Sequence, residues 1–288
     1  MAEFALNWNE EDTMRYLRYG EIGAEKPGVL DAEGRIRDLS GVIGDLVGPT
    51  LGALPAVDPE NLPLVPGTPR IGVPVAGTGK IVCIGLNYSD HAAESGMAEP
   101  EEPIVFMKAT SALSGPYDPV RLPRGAEKGD WEVELGVVIG KPAKYVSEAQ
   151  ALDHVAGYTI VNDVSERAFQ TERGGQWTKG KSSDTFGPIG PWLVTPDEIA
   201  DPQALDLGLD LNGVRAQTGS TSSMIFSVAQ IISYLSQMMS LQPGDVIATG
   251  TPPGVGMGMR PQRFLKAGDV MELSIVGLGH QRQEVLQD

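Results

Sequence analysis

The apolar and polar positions of this chain alternate in short runs, which predicts a protein built mainly of β-strands. Residues 129–140 begin with polar positions and continue as an unbroken apolar run. Successive side chains of a strand point to opposite faces, so Glu132 and Glu134 share one face while Val133 and Leu135 take the other. Two carboxylates in apolar surroundings repel each other and resist ionisation, so the pattern indicates a cation between them.

A second apolar run, residues 158–161, is followed by Asp163. Asp163 therefore lies where a neighbouring strand would end, and it can supply a third oxygen ligand. Three carboxylates with no Cys or His nearby suit Mg²⁺ or Mn²⁺ better than zinc. The alternative is an ordinary surface strand whose glutamates face water, although the apolar continuation of the strand argues against it.

The remaining pattern predicts more strands than helices. An apolar strand over residues 103–108 ends in the cation Lys108. Apolar residues at three- and four-residue steps predict an amphipathic helix over residues 222–239. A capping sequence at residues 147–150 predicts a helix through about Val155. Other predicted strands and hairpins cover residues 28–30, 35–39, 80–85, 246–249 and 268–285.

The distribution of proline divides the chain into three parts. Residues 1–13 are polar and acidic and have the character of a leader or tag. Residues 14–75 are interpreted as a small N-terminal β domain that ends in a proline-rich linker. Residues 76–288 form the predicted catalytic domain.

Composition narrows the possible partners. The 288 residues carry a net charge of −16, which argues against a nucleic-acid or anionic-membrane partner. No apolar run approaches the roughly 20 residues that span a bilayer, and the N-terminal residues do not form a secretory signal. The single Cys83 cannot form an internal disulfide, and a cytoplasmic location is expected.

A short helix is predicted after the strand at residues 80–85, and it carries His91 and Glu94. Residues three apart share a helix face, so Glu94 can orient His91 as a general base requires. The alternative is a solvent-exposed histidine on an acidic helix. After Asp163, Arg167 and Gln170 are also three apart and share one helical face.

Residues 175–182 match the phosphate-loop pattern G-x-x-x-x-G-K-[ST], with Lys181 as its lysine. That motif needs a helix to follow, with its N-terminus facing the phosphate. Residues 183–191 contain two prolines and two glycines, so we interpret the match as accidental. The loop at residues 250–256, which contains Thr251, is glycine-rich, and its backbone N–H groups can approach a ligand carboxylate.

In order along residues 80–285, these stretches resemble the fumarylacetoacetate hydrolase family. They are residues 84–88 with His91 and Glu94, Glu132-x-Glu134, residues 162–165, residues 179–184 and residues 249–256. The resemblance implies a mixed α+β, β-rich fold. Its catalytic domain is a rolled mixed β-sheet with flanking helices, preceded by a small β domain and usually found as a homodimer.

The resemblance also implies roles for individual residues. It assigns one divalent ion, Mg²⁺ or Mn²⁺, to Glu132, Glu134 and Asp163. The other implied roles are water activation by His91 with Glu94 on a lid, enolate stabilisation by Lys181, and contacts to the pyruvoyl end of the substrate by Arg167, Gln170 and the Thr251 backbone.

The expected activity is hydrolysis of a carbon–carbon bond in a 2,4-diketo acid, of the 2,4-diketo-3-deoxy-L-rhamnonate or -fuconate type. The products are pyruvate and a hydroxy acid such as lactate. Within the family, the alternatives are a 2-hydroxyhepta-2,4-diene-1,7-dioate isomerase, an oxaloacetate decarboxylase and a ureidoglycolate lyase. Outside it, a nucleotide hydrolase would depend on residues 175–182, and a non-catalytic metal-binding protein would need neither His91 nor Lys181.

Overall fold

The computed structural model describes residues 14–90 and 98–288, so the segment 1–13, His91 and Glu94 lie outside the described residues. The described chain is strand-rich and of mixed α+β type, as predicted. Its strands are β1 Arg15–Tyr19, β2 Lys26–Leu30, β3 Ile36–Asp38, β4 Ile81–Gly85, β5 Ile104–Lys108, β6 Leu113–Ser114, β7 Val120–Leu122, β8 Gly129–Asp130, β9 Val133–Ile139, β10 Val155–Asn162, β11 Ser165–Glu166, β12 Gly187–Val194, β13 Asp206–Leu211, β14 Val214–Ser220, β15 Val246–Ala248, β16 Val270–Ile275 and β17 Gly279–Gln287. Its α-helices are α1 Glu148–Ala151, α2 Arg167–Thr171, α3 Thr178–Lys181 and α4 Val228–Met238.

The largest sheet has the strand order β3-β2-β1-β12-β10-β9-β15-β4-β5. Strand β9 lies inside this sheet, antiparallel to both β10 and β15. The β9–β10 register sets Glu134 opposite Val161 and Val133 opposite Asn162. The acidic start of β9 therefore meets the end of β10, where Asp163 follows.

Both faces of the largest sheet are covered. Val133, Leu135 and Val137 point into a core shared with the second sheet, β14-β13-β16-β17-β7. Val138, on the other face of β9, packs into a core that includes residues of the N-terminal strands. Burying each such side chain stabilises the fold by about 1.5–3 kcal/mol. Polar groups on β9 are therefore largely shielded from bulk water.

The N-terminal strands continue the largest sheet. Strand β1 pairs with β12, and β2 pairs with both β1 and β3, which confirms the predicted hairpin. At the hairpin turn, the buried Asp31 accepts hydrogen bonds from the Nε atoms of Arg35 (2.8 Å) and Arg37 (2.7 Å). The division of the chain at residue 75 stays a prediction.

The prediction that the amphipathic helix starts at Ser222 is wrong, because α4 begins at Val228. Ser227 caps the helix by accepting from the Gln230 N–H, and the Gln230 side chain accepts from the Ser227 N–H. This capping box satisfies the free N–H groups of the first turn and fixes the start. Among residues 14–90 and 98–288, no helix has the length and apolar character to cross a membrane.

Candidate metal and substrate site

Three carboxylates converge at the junction of β9 and β10. Glu132 lies one residue before β9, Glu134 lies within it, and Asp163 follows β10 directly. All three are buried, and each offers an oxygen within 4.8 Å of the oxygens of the others. The Asp163 N–H donates to the Glu132 carbonyl at 2.9 Å, which extends the strand pairing to this point. The alternative of a solvated surface strand is therefore wrong.

Cationic side chains surround this cluster. Lys181 Nζ donates to Glu132 Oε2 at 2.7 Å and to Asp163 Oδ2 at 2.8 Å. Lys108 Nζ donates to Asp163 Oδ1 and, at 3.0 Å, to the Val164 carbonyl. The sequence marked Lys108 only as the end of an apolar strand, and its contact with Asp163 appears only in the fold.

Glu134 has a different environment, because its Oε2 accepts from the Gly250 N–H at 2.9 Å. Burial raises the pKa of Glu134 well above its ordinary value, and the charges of Asp163 and Glu132 raise it further. Burial acts against the charge of Lys181, but Asp163 and Glu132 outweigh it and raise the pKa of that ammonium. Lys181 therefore stays protonated. Ionised Glu134, by contrast, would be stabilised by additional positive charge nearby.

The donor set fits a hard divalent cation. Oxygen ligands from three carboxylates at this spacing are what Mg²⁺ or Mn²⁺ prefers, and a cation among them would oppose the burial and repulsion that raise the pKa of Glu134. A second acidic group, Asp31 with Glu33 and Glu60, differs from it. Its charges are already paired with arginines, and two of its members are exposed.

A cavity of about 400 Å³ opens onto the cluster. Six of the residues singled out from the sequence line this cavity or its floor: Glu132, Glu134, Arg167, Gln170, Lys181 and Thr251. The apolar part of the cavity wall consists of Ile84, Leu86, Phe106 and Trp177. Leu86 has a φ of 52°, a left-handed conformation that is costly for a leucine and that is found more often at functional sites. The cavity has the size and mixed lining of a small-molecule site.

Arg167 and Gln170 are held together, as their spacing predicted. Arg167 Nη1 donates to Gln170 Oε1 at 3.0 Å, and both residues lie on α2. Arg167 Nε donates to Asp130 Oδ2 at 2.8 Å, and Nη2 lies 2.7 Å from Glu132 Oε1. Burial opposes the charge, but Asp130 and Glu132 outweigh it and raise the pKa of Arg167. Sequence reasoning missed Asp130, although it stands two positions before Glu132.

Thr251 fixes the backbone between the two glutamates. Its hydroxyl donates to the Val133 carbonyl at 2.9 Å and accepts from Gln217 Nε2 at 2.8 Å. Gln217 Oε1 in turn accepts from the Val133 N–H at 3.0 Å. Val133 is thus bound on both its N–H and its C=O, which sets the direction of the flanking carboxylates. No pattern in the sequence pointed to Gln217.

The phosphate-loop letters do not form a phosphate loop. Residues 178–181 make the single turn α3, and the chain then enters strand β12 instead of a helix. The Lys181 ammonium lies over the Phe106 ring at 4.9 Å, and Trp177 meets that ring edge-on at 5.3 Å. Lys181 is directed at carboxylates and the cavity, as the interpretation of an accidental match requires. The roles of His91 and Glu94 stay predictions.

Similarity to known proteins agrees with this geometry. The profile for the fumarylacetoacetate (FAA) hydrolase C-terminal region matches residues 80–286. The chain is 61% identical over 273 residues to a 2,4-didehydro-3-deoxy-L-rhamnonate hydrolase of Sphingomonas sp. (strain SKA58), covering 94% of this chain and 96% of that protein.

Solved structures give the same result. A fumarylacetoacetate hydrolase from Exiguobacterium antarcticum superposes with a TM-score of 0.85 at 36% identity, over 96% of this chain and all (100%) of that one. A 2-hydroxyhepta-2,4-diene-1,7-dioate isomerase from Mycobacterium marinum superposes with a TM-score of 0.74 at 35% identity, over 96% and 99% of the two chains. The chain belongs to the fumarylacetoacetate hydrolase family.

Proposed function

We propose that this protein is a metal-dependent hydrolase of a 2,4-diketo acid, of the 2,4-diketo-3-deoxy-L-rhamnonate or -fuconate type. It cleaves a carbon–carbon bond and gives pyruvate and a hydroxy acid such as lactate. The observation that carries the proposal is the buried cluster of Glu132, Glu134 and Asp163, with Lys181 beside it, next to a cavity that Glu132, Glu134 and Lys181 line. The 61% identity to a 2,4-didehydro-3-deoxy-L-rhamnonate hydrolase supports the choice of substrate.

Glu132, Glu134 and Asp163 would hold Mg²⁺ or Mn²⁺. When bound, the ion supplies a Lewis acid for the carboxylate and 2-oxo oxygens of the substrate. Arg167 and Gln170 line the same cavity and present N–H donors to the pyruvoyl end. Because the two side chains are hydrogen-bonded to each other, their N–H donors are held in place before the substrate binds.

The chemical step needs a base and a group that stabilises negative charge. In our proposal His91, oriented by Glu94, takes a proton from water, and the water oxygen adds to the C4 carbonyl. The C3–C4 bond then breaks, and its electron pair forms the enolate of pyruvate while C4 becomes the carboxyl group of the hydroxy acid. The Lys181 ammonium faces the cavity and stabilises the enolate charge. Protonation at C3 gives pyruvate.

The isomerase and decarboxylase activities of the same family are the second candidates. The superposition with the Mycobacterium marinum isomerase is the observation that supports them. Enolate stabilisation serves all of these reactions, so the products decide between them. An isomerase would shift a double bond without releasing pyruvate, and a decarboxylase would convert oxaloacetate to CO₂ and pyruvate without forming a hydroxy acid.

Pyruvate release from a six-carbon 3-deoxy-2,4-diketo sugar acid tests the proposal directly. We expect equimolar pyruvate and hydroxy acid with Mg²⁺ or Mn²⁺, none with chelator, and loss of turnover in His91→Ala. His280→Ala is the matched control, because His280 is exposed and its imidazole packs edge-on against Tyr117. Failure to release pyruvate from the sugar acid, together with metal-dependent decarboxylation of oxaloacetate or double-bond migration in a hydroxy-diene-dioate, would replace the hydrolase by one of the alternatives.

We also propose that the protein is a cytoplasmic homodimer, on the resemblance to its family. Light scattering behind size-exclusion chromatography would give the mass in solution. A mass near the 30.6 kDa of one chain would refute the dimer.

A further inference from the structure

One part of the cavity wall has no role in the reaction described above. Met257, Gly258, Arg260 and Gln262 line the same cavity as the carboxylates. Arg260 and Gln262 are exposed, whereas the carboxylate cluster is buried. The loop of residues 257–262 therefore forms the mouth of the cavity, and the cluster forms its floor.

This loop is fixed at both ends. At its start, Asp130 accepts from the Gly256 N–H at 2.6 Å and from the Met257 N–H at 3.0 Å. At its end, the Arg263 N–H donates to the Gly256 carbonyl at 3.1 Å, which closes the loop. Arg263 Nη2 also contacts both oxygens of Asp269, at 2.7 and 2.8 Å. The loop is thus a fixed wall, which a selective site requires.

Asp130 also links this wall to the floor of the cavity. The carboxylate that holds Gly256 and Met257 accepts from Arg167 Nε at 2.8 Å. A residue that touches the floor and the base of the loop fixes the distance between them. The cavity can therefore discriminate between substrates by what they carry at a fixed distance from the pyruvoyl end.

The two long side chains of the loop are held by their own backbone. Arg260 Nη1 donates to the carbonyls of Met257, Gly258 and Met259, at 3.4, 3.1 and 2.9 Å. Gln262 Nε2 donates to the Met257 carbonyl at 2.9 Å. Within residues 14–90 and 98–288, no protein partner takes up Arg260 Nε and Nη2 or Gln262 Oε1. The mouth therefore offers N–H donors and a carbonyl acceptor close together.

The chemistry of this pair matches a hydroxyl group. A hydroxyl both donates and accepts, so it can bond to the Arg260 N–H groups and to Gln262 Oε1. A carboxylate would pair with the Arg260 N–H groups but has no proton to donate to Gln262 Oε1, and an alkyl chain would leave both groups without a bond. The neighbouring wall, formed by Leu86, Phe106 and Trp177, is apolar, so the polar contacts are confined to the mouth.

We propose that Arg260 and Gln262 determine specificity by binding the hydroxyl groups of the substrate chain beyond C4. This inference rests on the proposed function, and it identifies the substrate class as diketo acids with a hydroxylated tail. Alkyl-tailed diketo acids of similar length are the substrates that this wall rejects.

The test compares two substrates of equal length, a six-carbon 3-deoxy-2,4-diketo sugar acid and 2,4-dioxohexanoate. The readout is the ratio of their kcat/KM values in Gln262→Leu, Arg260→Met and the control Gln242→Leu. Gln242 is exposed and precedes β15, whereas the cavity lies at the other end of that strand. We expect the ratio to fall about fivefold in Gln262→Leu and about tenfold in Arg260→Met, because hydrogen bonds to charged groups are stronger. The control should keep the wild-type ratio.

An unchanged ratio, or an equal loss on both substrates, would overturn the inference, since either result gives the loop only a structural role. A wild-type preference for a 2,4-diketo dicarboxylate that is lost in Arg260→Met would also overturn it. If the wild type releases no pyruvate at all, the proposed function fails. Calorimetric Kd values for the same two acids and the Mg²⁺-loaded protein then decide the inference: a hydroxyl preference that the variants lose supports it, and no preference refutes it.

Discussion

Glu134→Gln distinguishes the effect of the carboxylate cluster on folding stability from its contribution to metal binding. The substitution keeps the size of the side chain and an oxygen that can accept from the Gly250 N–H, and it removes only the charge. Glu134 is 1% exposed, and burial together with Asp163 and Glu132 raises its pKa. We therefore expect the metal-free variant to be more stable than the wild type at neutral pH.

Two estimates give the size of this effect. In the unfolded chain Glu134 ionises above about pH 4.3, whereas the fold resists its ionisation. The penalty is therefore absent below that pH and grows as the pH rises, to at most about 4 kcal/mol at pH 7. Independently, two like charges no more than 4.8 Å apart repel by at least about 3 kcal/mol at an effective dielectric constant of about 20. Because Lys181 offsets part of this repulsion, we expect the variant to gain about 2–3 kcal/mol at pH 7 and about 1 kcal/mol or less at pH 5.

The assay is urea unfolding at pH 5 and pH 7, first with chelator and then with excess Mg²⁺. At a metal concentration 100 times its Kd, the wild type should gain about 2.7 kcal/mol. Glu134→Gln should gain much less, because it has lost one charged ligand. Glu284→Gln is the matched control, since Glu284 is an exposed glutamate on β17 and should change neither value.

Two results would refute this reasoning. A metal-free variant less stable than the wild type at pH 7 would show that Glu134 is not under electrostatic strain. An equal gain from Mg²⁺ in the variant and the wild type would remove Glu134 from the set of metal ligands.

Two further substitutions test the residues that support the cluster. Lys108→Met leaves Asp163 with one fewer cation, so we expect the free energy of unfolding in urea without metal to fall by about 3–5 kcal/mol. Mg²⁺ should restore part of this loss. A variant as stable as the wild type would contradict the reasoning. Asp130→Asn removes the charge paired with buried Arg167, so we expect the KM for the diketo acid to rise about tenfold in steady-state assays of folded protein, a change of about 1.4 kcal/mol. An unchanged KM would mean that Asp130 does not position Arg167.

The sequence predicted those parts of the site that depend on short-range spacing. The two-residue period of a strand sets Glu132 and Glu134 together, and the three-residue step of a helix sets Arg167 beside Gln170. Asp163 was found because it ends a clear apolar run. These relations hold between residues that are close together in the sequence, so they can be read without knowing how the elements pack.

The rest of the site depends on contacts between distant segments. Lys108 reaches Asp163 across 55 positions, and Gln217 reaches Val133 across 84. Those contacts exist only because strands far apart in sequence become neighbours, and no periodicity encodes that pairing. The start of α4 shows a related limit: apolar spacing continued through Met224, which packs against the core without being helical, while Ser227 set the actual start.

Lys181 shows why a match of letters does not fix a function. A phosphate loop works because a following helix points its free N–H groups at the anion, and here a strand follows instead. Lys181 instead binds the carboxylates of Glu132 and Asp163, which lie 49 and 18 positions away in the sequence. Buried carboxylates are tolerated only when cations and hydrogen bonds compensate them. Lys181, Lys108 and Arg167 meet that demand in part. Four carboxylates face these three cations once Asp130 is included, so one negative charge remains when all are ionised, which is the condition under which the cluster would bind a divalent ion.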